Sequence, residues 1–132
     1  MRAACLAATG MFALFSYWQL NDLEQYGTRL WYGWLLAYGS TAALSLFSAR
    51  RLLGPRVYWI ASSVAALAAA LRASQISWGA GILNNAQNPA GNEAGGLLVV
   101  ALWLAFLGWR SGIAPAITGS ESDRTMDPPA AL

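Results

Sequence analysis

The sequence predicts an all-α fold, an integral membrane four-helix bundle running up-down-up-down with both termini in the cytoplasm. Three observations carry that prediction. Of the 132 residues, 57% are hydrophobic and 11% charged, against roughly 45–50% and about 25% in soluble domains. The apolar residues gather in four windows, 3–20, 30–49, 57–78 and 94–113, each close to the roughly 20-residue helix that spans a hydrocarbon layer about 30 Å thick. The arginines, finally, collect on alternate connections. The same composition excludes a disordered chain, a disulfide scaffold (Cys5 is the only cysteine) and a nucleic-acid binder, because the net charge is only +2 and no basic run occurs.

Only a helix carries a single segment across lipid, since every backbone N–H and C=O must be satisfied within it. The first window follows Arg2 and has the look of a signal peptide, but Ser16-Tyr17-Trp18-Gln19-Leu20 is bulky where a cleavage site needs small residues. It is therefore predicted to be the first spanning helix. Windows 30–49 and 94–113 show almost no polar face, which the helices of a soluble all-α protein would need at 3.6-residue spacing. The third window, 57–78, holds one charge, Arg72. Residues 1–113 thus form one transmembrane domain. Residues 114–132, with Pro128-Pro129 and the charges Glu121, Asp123, Arg124 and Asp127, are expected to be a disordered cytoplasmic tail.

Orientation follows from the arginines, as the chain has no lysine. Arg2, Arg50, Arg51, Arg56, Arg110 and Arg124 fall on one side and Arg29 alone on the other. Positive charge marks the inner side, so a multi-pass protein of the inner (cytoplasmic) membrane is expected. Aromatic side chains favour the headgroup level. Tyr17, Trp18, Trp31, Tyr32 and Trp78 fall at the outer boundary, and Tyr58, Trp59 and Trp109 at the inner one, leaving Trp103 at mid-bilayer.

Helices in lipid associate through close packing, which small residues permit. Gly33, Ala37, Thr41, Ser45 and Ala49 form one such stripe. Ala61, Ala65, Ala69, Ala73 and Ser77 form a second, and Ala101, Ala105, Gly108 and Gly112 a third. A dimerisation face would look the same; four helices in one short chain favour internal packing.

Arg72 needs the most explanation, because a charge in lipid costs from about 2.5 kcal/mol upward and so turns toward the bundle and a partner. Within window 57–78 it lies about 22 Å along the helix, roughly 9 Å from its outer end. Asp22, Glu24 and Glu93 lie on that same outer side. The expected site is an outward-facing polar pocket in which Arg72 faces Asp22 and Glu93, with Asn21 and Gln75 completing the hydrogen bonds. A second reading lets Arg72 snorkel to the headgroups. Glu93 also has a local explanation, with Asn92 as helix cap and a carboxylate in the first turn. Asn88-Pro89-Ala90 matches the aquaporin tripeptide, but one copy in a polar loop reads as turn chemistry.

With no histidine, no lysine and one cysteine, the usual base–nucleophile pairs and haem or metal ligand sets are missing. No catalysis, cofactor or metal is expected. The chain resembles the transmembrane protein 220 family in Gln19-Leu20-Asn21-Asp22, in Trp31 and Tyr38, and in Glu93-Ala94-Gly95-Gly96-Leu97. The resemblance implies a small four-helix membrane protein with Asn21, Asp22 and Glu93 as signature polar positions. It supplies no activity. Where the family has proline after the Asn-Asp pair, this chain has Leu23. The expected role is a non-catalytic binding or interaction component in contact with the lipid bilayer. The alternatives are a small-molecule or ion carrier working as a homo-oligomer, and an accessory subunit of a larger membrane complex.

Overall fold

A computed structural model describes residues 1–26, 31–78 and 89–122, with side chains at 1–20, 32–78 and 89–113. Among them are four helices and no strand: α1 (Arg2–Tyr26), α2 (Trp31–Ser48), α3 (Pro55–Ala73) and α4 (Pro89–Ser122). The all-α prediction holds, while several helix ends move. Helix α1 runs on to Tyr26 because Leu23, unlike a proline, keeps both its N–H and its freedom to be helical. Helix α4 begins at Pro89, whose fixed φ and missing N–H suit the first helical position. Asn92 and Glu93 therefore lie inside the helix, which corrects the expectation of a cap at Asn92. Helix α4 also continues to Ser122, so residues 114–122 of the expected disordered tail are helical. Helix α3 ends at Ala73, five residues short of its window. There the Ser74 N–H still reaches the Ala70 carbonyl, but the Ser74 hydroxyl takes the Leu71 carbonyl and a turn follows.

The helices pair as two hairpins, α1 with α2 and α3 with α4. Helix α3 runs antiparallel to α4, as the Ser62 hydroxyl bonded to the Ala101 carbonyl (2.8 Å) and the Ser111 hydroxyl bonded to the Leu53 carbonyl (2.7 Å) require. The hairpins meet through α2 and α4. Tyr38 lies over Gly96, and the Trp103 indole N–H donates to the Ser45 hydroxyl at 2.8 Å. Both contacts have the same offset, so α2 and α4 run parallel. Among the described residues, the backbones of the consecutive helices α2 and α3 make no close approach.

One core holds the hairpins together. Cys5, Ala8 and Phe12 of α1 and Tyr38 and Ala42 of α2 share it with Tyr58 of α3 and with Leu104 and Leu107 of α4. Ala65 and Ala69 of the α3 stripe and Ala101 of the α4 stripe are buried, so these stripes serve packing within the chain. Trp59 packs on Gly108, where an added Cβ would lie 3.2 Å from the indole.

The outer surface is apolar. Leu36, Phe47, Ile60, Leu67, Leu102 and Trp109 all stand exposed, far more than a water-soluble monomer tolerates in contiguous patches. Helix hydroxyls turn inward onto their own backbone: Thr9 to Cys5, Thr41 to Ala37, Ser45 to Thr41 and Ser48 to Leu44, at 2.6–2.8 Å. This is how polar side chains are satisfied where water is absent. By length and apolar composition, Arg2–Leu20 and Pro89–Ile113 are able to cross a membrane. Helices α2 and α3, with 18 and 19 residues, fall short of that measure. Tyrosine, serine and threonine dilute the first, and Arg56 and Arg72 the second.

Candidate functional site

Arg72 sits in the last turn of α3. The expected stretch of roughly 9 Å of helix beyond Arg72 shrinks to a single residue, because α3 ends at Ala73. A cation at a helix C-terminus meets the partial negative charge of the unsatisfied carbonyls. The guanidinium donates through Nε and Nη2 to Glu93 Oε2 and through Nη1 to Gln75 Oε1. Each side chain of the Arg72–Glu93 pair retains 24% exposure, so the pair is half-buried at the end where α3 leaves and α4 begins.

Of the five residues expected in the pocket, the structure brings together Arg72, Gln75 and Glu93. Asn21 and Asp22 lie on helix α1 rather than after it, and their side chains fall outside the described residues. Glu93 is not in the first turn of α4, so its local explanation gives way to the pairing with Arg72.

Sequence reasoning missed the space beside this cluster. A cavity of about 600 Å³ opens between α2 and α3, within the roughly 300–1,000 Å³ of small-molecule sites. Ala37, Ser40 and Thr41 form one wall and Ala61, Ala65 and Ala68 the other, over a floor of Leu97, Val100 and Leu104 from α4. Arg72 and Gln75 close one end. The signal was present in the small residues at fourfold spacing on both helices, but such stripes read equally as packing faces. Here part of each stripe faces the other across open space.

The opposite end is tied by Tyr58. Expected at the headgroup level, it is fully buried. The Ser48 hydroxyl donates to the Leu44 carbonyl, so the Tyr58 hydroxyl donates to Ser48 Oγ at 2.6 Å and accepts the Leu53 N–H at 3.0 Å. With Ser111 on the Leu53 carbonyl, the connection between α2 and α3 is fixed to α2, α3 and α4 at once. Trp103 was likewise legible only as a mid-bilayer aromatic; its bond to Ser45 ties α4 to α2.

No curated protein and no solved structure matches the chain. Residues 11–109 match the family model described as "Transmembrane family 220, helix". That span takes in α2 and α3 whole, most of α1, and α4 from Pro89 through Trp109. It includes the half-buried Arg72–Glu93 pair, the Tyr38–Gly96 contact and every wall of the cleft. The chain belongs to transmembrane family 220, a family of membrane proteins.

Proposed function

We propose that this chain is a four-span protein of the cytoplasmic membrane, N-in and C-in, that binds a ligand in the cleft between α2 and α3 and performs no catalysis on it. One observation carries the reading: a cavity of about 600 Å³ with apolar walls ends at the polar groups of Arg72 and Gln75. A few convergent polar groups at the rim of an apolar pocket orient a ligand, and the walls supply affinity. The exposed apolar side chains around the rest of the surface face lipid.

The test is gentle detergent extraction followed by mass spectrometry of whatever stays bound. A species retained by wild type and lost from Ala68→Trp, whose indole projects into the cleft and narrows it, supports binding; an empty wild-type protein ends the reading. Reporter fusions at Arg51 and at the C-terminus should report cytoplasm, and one at Asn88 the outer side. Opposite signals from the first two would exclude an even number of spans.

A further inference from the structure

Resting on that binding reading, we infer that the occupant of the cleft is a membrane phospholipid, its acyl chains between α2 and α3 and its phosphate on Arg72 and Gln75. Depth is the first argument. Along α3 the cleft runs from Ala61 to Arg72, a rise of about 16 Å. That is close to half the hydrocarbon thickness of about 30 Å, one leaflet. The polar end and the apolar length are arranged as in a lipid.

The walls select against a polar solute. The hydroxyls midway down the cleft, Ser40 and Thr41, both donate to the Ala37 carbonyl, at 3.2 and 2.7 Å. Their donors are engaged on their own helix, and apart from Gly33 and Trp34 the remaining walls are alanine, valine and leucine. A hydrated ion or sugar would find only two hydroxyl oxygens and the Trp34 indole there, too few groups to replace its water. A chain of methylenes loses nothing.

The head of the cleft selects for acceptors. Arg72 has five N–H groups. Among the described residues, three are taken: Nε and one on Nη2 by Glu93, and one on Nη1 by Gln75. Among the described residues one hydrogen on each terminal nitrogen is left over, and the Gln75 amide adds two more donors. A phosphodiester presents oxygens to such a fork. A transmembrane helix of a second copy does not, because its carbonyls are already bonded within the helix.

The experiment uses the full chain in vesicles of phosphatidylethanolamine and phosphatidylglycerol. One sample is doped with a phosphatidylglycerol carrying a photoactivatable group midway along an acyl chain, the other with a diacylglycerol bearing the same chains and no phosphate. Adducts are assigned residue by residue by mass spectrometry. Ala68 lines the cleft, whereas Leu67, its neighbour in sequence, stands on the lipid-exposed face. The phospholipid probe should label Ala68 several-fold over Leu67. The diacylglycerol probe should show no such preference, and Arg72→Gln should abolish the preference for the phospholipid.

Equal labelling of Ala68 and Leu67 by the phospholipid overturns the proposal, as do equal preferences for the two probes in wild type or copy-to-copy adducts at Ala68. The wild-type comparison of probes stands even where Arg72→Gln fails to fold. A non-lipid species displaced by Ala68→Trp in the extraction experiment would overturn the phospholipid and leave the binding reading intact. Loss of both would show in an empty wild-type protein.

Discussion

Tyr38 of α2 lies directly over Gly96 of α4, and only the missing side chain at Gly96 permits it. A Cβ built at Gly96 would collide with the Tyr38 hydroxyl oxygen and stand 3.1 Å from its Cζ. The tyrosine is held in place from the other side by Phe15 of α1, edge-on at a centroid distance of 5.6 Å. Two of the positions that carry the family resemblance thus touch, and their contact joins the hairpins alongside the Trp103–Ser45 and Tyr58–Ser48 hydrogen bonds.

Gly96→Ala should therefore destabilise the protein even though alanine is the better helix former by about 1 kcal/mol. Overpacking of this kind costs about 1–3 kcal/mol. Gly95→Ala, with open space at its Cβ, should be neutral or stabilising. Tyr38→Phe added to Gly96→Ala should recover part of the loss. Thermal unfolding in detergent reads all three, and equal melting of the two alanine variants would refute the contact.

The Arg72–Glu93 pair should show coupling. Arg72→Leu and Glu93→Gln should each destabilise, by less than the 3–5 kcal/mol lost from a fully buried pair, because both side chains keep 24% exposure. The double variant should fall short of the sum by about 0.5–3 kcal/mol. Additivity within about 0.5 kcal/mol would mean that the two groups do not interact energetically.

Tyr58→Phe removes the acceptor of the Leu53 N–H and the donor to Ser48. Leaving a half-buried N–H without a partner costs about 1–3 kcal/mol. The expected sign is a lower melting temperature and faster amide exchange at Leu53. Unchanged exchange there would show that the hydroxyl does not hold the connection.

Ala69 and Ala70 are neighbours with opposite surroundings, the first buried against α4 and the second exposed. Ala69→Leu should cost about 1–3 kcal/mol by forcing α3 from α4, while Ala70→Leu should cost almost nothing. Equal stability of the two would place the stripe on the lipid side.

Four helices were legible because their apolar windows are long and nearly uninterrupted. Their ends were less so, since the termini turn on single residues: Leu23 lets α1 continue, Pro89 starts α4 early, and Ser74 ends α3. Arg72 and Glu93 could be paired from sequence because Arg72 is the one charge inside its apolar window and a few carboxylates lie on the side it is nearest. Tyr58 could not be placed, because an aromatic with a polar tip near a helix end reads the same facing headgroups or facing Ser48. The cleft was hidden for a related reason. Small residues at fourfold spacing announce that something approaches closely, without saying whether it is another helix or a ligand.

The knot at Tyr58 has a mechanical consequence. With Leu53 tied through both its N–H and its C=O, the corner between α2 and α3 is a fixed point, and the width of the cleft follows from the angle between the two helices. Helix α3 has 19 residues, so its far end lies about 28 Å from that corner, and a change of about 10° in the angle would displace it by about 5 Å. Any such rotation would displace the Arg72 end most and the Tyr58 end least. The span of the cleft at that end is therefore set by the Arg72–Glu93 pair, which ties the tip of α3 to α4.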